Sequence, residues 1–275
     1  MNSKYSITQE VVLPSKGFLN PEIPGGIVEQ RCLMVSDQKY LAGSKAIKGG
    51  RMNKLLQETC VSPDTFDVSR LTLPDLVFLM FKLRILSYGP KMTYTTICPV
   101  CGNETEVTLD LSSLEVKELE DDYEKHLEIV LPRAGDTVYT RILNTKDLED
   151  IKDYIKALKK KVKDDDALVG IEYEQRLTRM IRKIVLKEKN EDGDKILEHP
   201  VDITKYVAQL PDIDATAIIA TVDNLEYGVI PTVETVCESC GNDIKVPIRF
   251  SGDFFRPKYD TRSEKIDGLD LSSIN

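Results

Sequence analysis

The chain contains no tryptophan and only two histidines, His126 and His199, among 275 residues. Neither histidine falls in an HExxH or similar ligand spacing, so a histidine-built catalytic metal centre is not expected. Glycine-rich phosphate cradles of the GxxxxGK[ST] and GxGxxG kinds are absent, as is a GxSxG nucleophile elbow. Long apolar runs are absent too. The most hydrophobic stretch, Leu76–Phe81 (LVFLMF), continues through Lys82 and Arg84 and is too short to span a bilayer. The N-terminus lacks the apolar centre of a secretory signal, so a soluble, non-secreted chain is expected. Positive charge is in deficit: 37 Lys and Arg against 46 Asp and Glu give a net charge of −9. Such a balance argues against broad nucleic-acid binding, which needs clustered cations to displace counterions.

Against this background the six cysteines stand out. Four lie in two CxxC pairs, Cys98/Cys101 and Cys237/Cys240, within the related stretches TTICPVCGNETEV and ETVCESCGNDIKV. With the cysteines superposed, Gly102 matches Gly241, Asn103 matches Asn242 and Val107 matches Val246. Two residues between cysteines let both sulfurs face one point, and a following glycine tolerates a left-handed turn. One pair supplies two ligands, and zinc prefers four in a tetrahedron. The spacing therefore predicts one structural zinc per chain, held by Cys98, Cys101, Cys237 and Cys240. Two alternatives stay open: thiols that pack without metal, and a redox CxxC. The redox reading fits less well, because it requires a helix N-terminus, whereas each pair here falls between predicted strands. Four thiolates close the coordination sphere, which disfavours catalysis at the metal. Cys32 and Cys60 read as small buried hydrophobes.

Two further motifs weaken on inspection. EKNEDGD (Glu188–Asp194) suggests a calcium loop, but His199 stands where the bidentate glutamate belongs. The lysines of Lys146–Lys163 interleave with acids at helical spacing and read as a solvated helix face rather than a nucleic-acid surface.

Along the chain, the Pro- and Gly-rich LPSKGFLNPEIPGG (Leu13–Gly26) belongs to an irregular or extended N-terminal arm over 1–45. A helical segment with the first knuckle covers 46–111, and its Leu76–Leu86 stretch is apolar on nearly every face. A largely helical insertion is expected over 112–230, with strands around Arg133–Asp136 and helices over Thr145–Lys163, Asp166–Lys187, Asp202–Leu210 and Asp212–Asn224. The second knuckle follows at 231–257, and a polar, flexible C-terminal arm at 258–275. The fold class is thus α+β: a zinc-ribbon-like pair of CxxC knuckles on β-hairpins, with a largely helical insertion between them.

Three segments carry a family likeness. They are Val11–Ser44, with Leu13, Pro14, Ser15 and Gly17; Phe66–Leu111, with Leu83, Arg84, Ser87, Gly89, Cys98, Cys101 and Gly102; and Cys237–Ile248. Together they resemble the baseplate hub assembly and central-spike-associated proteins of T-even-type contractile-tail bacteriophages. The resemblance implies a non-enzymatic structural or assembly protein that works through protein–protein contacts. It implies other baseplate or hub proteins as partners, with homo-oligomers also open, and neither nucleic acid nor membrane. Its implied location is the host bacterial cytoplasm during assembly and then the tail baseplate of the virion. The competing expectation is a zinc-ribbon nucleic-acid or transcription adaptor, which the acids Glu104, Glu106, Glu234, Glu238 and Asp243 around the knuckles disfavour. An enzyme without recognisable motifs is a third expectation, with a bound small molecule as its sign.

Overall fold

The computed structural model describes residues 7–41, 49–190, 193–248, 250, 254, 255, 259–260, 265–266 and 269–270. Outside them lie the ends of the expected N-terminal arm (1–6 and 42–45), the start of the helical segment (46–48), residues 191–192 of the calcium-loop-like stretch, 249, 251–253 and 256–257 of the second-knuckle segment, and most of the arm at 258–275. The chain divides into two compact units. The first takes residues 1–68, 74–118 and 227–275, and the second 69–73 and 119–226.

The first unit starts with β1 (Thr8–Val12), which pairs antiparallel with β2 (Ile27–Arg31). The segment joining them, expected as a loop or arm, is a loop of defined shape. Its prolines and glycines make consecutive tight turns, with Lys16, Phe18, Asn20, Ile23 and Gly26 amides each donating to the carbonyl three residues back. Leu13, Ser15, Asn20 and Ile23 are buried, so the segment is a folded wall of the core. After the single-turn α1 (Gln38–Leu41), α2 (Gly49–Thr59) buries Met52, Leu55 and Leu56, and β3 (Cys60–Ser62) completes the sheet in the order β1-β2-β3.

Next comes α3 (Leu73–Tyr88), whose Leu76, Phe78, Leu79, Met80, Phe81 and Leu83 are all buried. A helix that is apolar on nearly all faces must be buried, and these residues belong to the core of the first unit. Polar groups tie it to its surroundings. The Ser15 amide donates to Asp75 at 3.0 Å, Gln30 donates to the Leu79 carbonyl at 3.2 Å, and the Leu33 amide donates to Ser87 Oγ at 2.9 Å. Gly89, at φ +80, ends the helix. The buried Arg84 guanidinium then donates to the Gly89 and Lys91 carbonyls, at 2.8 and 3.2 Å, and so aims the chain into the next strand.

Strands β4 (Lys91–Ile97) and β5 (Glu104–Asp110) form a two-stranded antiparallel ladder, followed by β6 (Val116–Lys117). Here the chain leaves for the second unit. Within that unit β7 (Glu128–Val130), β8 (Thr137–Thr140), β9 (Ile181–Asn190) and β10 (Gly193–Leu197) make an antiparallel sheet in the order β10-β9-β8-β7. Four helices join it: α4 (Thr145–Leu158), α5 (Asp165–Met180), α6 (Pro200–Val207) and α7 (Asp212–Asp223). Leu131, Val138, Leu177, Ile184, Ile203 and Ile218 form the shared core. The insertion thus carries a four-stranded sheet beside its helices, with more strand than the sequence suggested. The difference arises at Ile181, where the helix expected to reach Lys187 stops and a ten-residue strand begins.

On its return the chain pairs β11 (Gly228–Val229) with β6, Gly228 opposite Lys117, so exit and re-entry lie side by side. The ladder β12 (Thr232–Val236) and β13 (Asp243–Pro247) follows. Beyond it, Phe250 and Phe254 pack edge-on against Phe81 of α3, at ring-centroid distances of 5.1 and 5.6 Å. The short strands β14 (Tyr259–Asp260), β15 (Lys265–Ile266) and β16 (Leu269–Asp270) pair with one another.

Candidate metal centre

Each CxxC pair occupies the turn at the end of one ladder, and the two turns repeat one another bond for bond. In the first, the Cys98 amide donates to the Asn103 carbonyl at 2.9 Å and the Gly102 amide to the Cys98 carbonyl at 3.0 Å. In the second, the Cys237 amide donates to Asn242 and the Gly241 amide to Cys237, both at 2.8 Å. Gly102 and Gly241 sit at φ +72 and +70, which explains the glycine after each second cysteine. The leading cysteines, Cys98 and Cys237, are buried with Ile244 and Val246, while Cys101 and Cys240 stand at the surface.

The two turns meet. Cys98 Sγ lies 3.7 Å from Cys240 Sγ, and Cys101 Sγ lies 3.7 Å from Cys237 Sγ. All four sulfurs fall within 4.8 Å of one another, and none is in a disulfide. A tetrahedral zinc with Zn–S bonds of about 2.3 Å separates its sulfurs by about 3.8 Å. The donor set and its spacing therefore fit a four-thiolate metal site, and every residue singled out for it in the sequence is brought to one place.

Local electrostatics suit thiolates unevenly. Amides of Cys101 and Val100 point at Cys98 and draw its thiol below the usual range. The Thr105 hydroxyl, with amides of Cys240 and Ser239, draws Cys237 down to about 6. The Asn242 amide also favours a charged Cys240, yet desolvation and the neighbouring sulfurs push that thiol up to about 12. Thiolates crowded this closely repel one another. A divalent ion reverses that logic by supplying the missing positive charge.

Sequence reasoning missed Thr105. Its buried side chain lies 3.6 Å from Cys237 Sγ, whereas Ile244 occupies the matching place in the second ladder. Only the strand alternation, which turns Thr105 inward with Val107 and Leu109, could have flagged it. Neither histidine is a member of the tetrad. His199 Nδ1 accepts the Val201 amide at 3.3 Å and caps α6, and the exposed His126 lies 3.4 Å from Glu120.

Four thiolates would fill a tetrahedral coordination sphere, and the fold that carries them is mixed α+β. The chain matches the family model described as T4 bacteriophage base plate protein over residues 16–256, and it belongs to that family. No curated protein and no solved structure gives a match to the chain. The resemblance read from the sequence thus holds at the level of a T4-type phage baseplate protein. The matched span includes both CxxC pairs and the whole of the second unit.

Proposed function

We propose that the protein is a non-enzymatic building or assembly component of the hub region of a contractile phage tail baseplate. In this reading it acts through contacts with other tail proteins, and it carries one structural zinc on Cys98, Cys101, Cys237 and Cys240. Family membership supports the baseplate role, and the observation that carries the zinc is the convergence of four unbridged sulfurs from segments 136 to 142 residues apart. When bound, the zinc supplies a cross-link and no reaction chemistry. Cys98 and Cys237 anchor it from the core side, the turn amides orient their sulfurs, and Cys101 and Cys240 close it off at the surface. Exposed Glu104, Glu106, Glu238 and Asp243 surround the turns, which disfavours phosphate contact there.

Native mass spectrometry before and after a strong chelator tests the metal. One zinc per chain, lost only with unfolding, is expected; no zinc, or one per two chains, overturns the single intramolecular site. Separately, an epitope-tagged chain expressed during infection should co-purify with hub intermediates or finished tails. Its absence from both would remove the baseplate-hub reading and leave the metal result standing.

A further inference from the structure

Helix α5 carries a stripe that faces solvent although its composition belongs to a helix contact. Asp166, Val169, Tyr173 and Arg176 are all exposed, with Val169 at 67 % and Tyr173 at 39 %. Their 3-4-3 spacing places them in one row along the helix. Leu168, Leu177 and Met180 of the same helix are buried in the second unit, Leu168 and Leu177 on either side of the row and Met180 ending it. Between the two exposed apolar residues sits Gly170, a poor choice for the interior of a helix. Nothing lies within 4 Å of where its Cβ would be, so packing within the chain does not require a glycine there.

The row is self-complementary. When two copies of α5 run antiparallel about residue 171, Val169 faces the other copy's Tyr173 and Asp166 faces its Arg176, each pair occurring twice. Gly170 then lies opposite the other copy's Glu172, where a missing Cβ leaves room for a longer side chain. A patch that is its own complement under a two-fold axis is the signature of an isologous contact. Antiparallel packing also sets the acid-bearing start of one helix, with Asp165 and Asp166, beside the other's basic end, and opposes the two helix dipoles.

From this charge and shape complementarity we infer that the outer face of α5 is a homodimer contact, its occupant the same face of a second copy. The contact is short, with two apolar residues per copy at its centre, so the pairing depends on concentration. It is independent of the metal.

Sedimentation velocity of the full chain over a wide concentration series tests it, with circular dichroism of each variant as the control for folding. The wild type should shift from monomer to dimer as concentration rises. Asp166→Arg or Arg176→Asp alone should raise the dissociation constant by about tenfold or more, because like charges then face each other twice. The double swap, D166R with R176D, should restore dimerisation, since it rebuilds both pairs with the signs exchanged. A monomer at every concentration, a dimer indifferent to both single reversals, or a double swap that fails to recover would each overturn the proposal. A contact with a different tail protein would be weakened by the single reversals but not rescued by the swap.

Discussion

Gly17 and Gly26 face one another across the turn-rich segment between β1 and β2, both at positive φ. A Cβ on Gly17 would come within 2.6 Å of the Gly26 amide nitrogen and the Ile23 carbonyl oxygen; one on Gly26 would come within 2.7 Å of the Gly17 nitrogen. These obstacles are backbone, which cannot swing aside as a side chain can. Gly17→Ala should therefore destabilise the first unit by about 3 kcal/mol or more, through strain at positive φ plus overpacking. Urea unfolding checks this, and a loss below about 1 kcal/mol would show that the segment can open without cost. The residues behind the family likeness acquire physical roles at the same scale. The Ser15 amide reaches Asp75, Arg84 holds the carbonyls past the helix end, and Ser87 joins the end of β2 to α3. From the sequence, Ser15 and Gly17 were visible as part of a loop and of the family likeness, but not their physical roles, since Asp75 lies 60 residues on from Ser15 and the close approach of Gly17 to Gly26 exists only once the turns form.

Elements, rather than residues, show where periodicity misleads. Ile181 and Ile184, three apart, are both buried, a spacing that reads as one face of a helix. They belong to β9, and a register shift between Tyr139 and Thr140 on the neighbouring β8 lets both reach the core from a strand. Such a shift depends on the partner strand, so the local pattern could not announce it. The two CxxC ladders were legible for the opposite reason: turn chemistry and strict alternation lie within a few neighbouring residues. A device that the sequence did hold, unread, recurs at two helix starts. Asp37 accepts both Arg31 guanidinium nitrogens, at 2.7 and 3.0 Å, as well as the Met34 amide. Asp147 does the same with Arg141, at 2.7 and 2.8 Å, and the Asn144 amide, just before α4. Burial opposes the charge of both carboxylates, yet the arginines and amides outweigh it and hold both pKa values below the usual range. A depressed folded pKa gives stability that is present above the unfolded value, about 3.9, and lost as pH falls through the lower folded value. The urea midpoint should stay level from neutrality to about pH 5 and then fall in acid. Asp147→Asn should lower stability at neutral pH by about 1 kcal/mol, given the partial exposure of Arg141, and flatten the acid decline. An unchanged acid limb in that variant would show that the carboxylate is not the titrating group.

At the scale of the whole molecule, the tetrad and the second unit divide the work of holding a long excursion of the chain. Pairing of β6 with β11 already brings exit and re-entry together, so a metal on the tetrad would need only to close the remaining short segments on either side. Closing a loop of that modest size would contribute about 3 kcal/mol against local opening, by analogy with a disulfide of similar span. The second unit has its own core around Val138, Ile184 and Ile218 and contributes no cysteine to the site. Chelation should therefore act selectively. In hydrogen exchange of the full chain, amides of β4, β5, β12 and β13 should lose protection by roughly two orders of magnitude, which is that free energy expressed as a rate ratio. The amides of Val138 and Ile184, paired across β8 and β9, should keep theirs. Loss of protection in both units together would mean that the tetrad governs one cooperative fold. Protection unchanged everywhere would mean that the two ladders hold without a cation, and the four sulfurs would then have to be read as packed thiols.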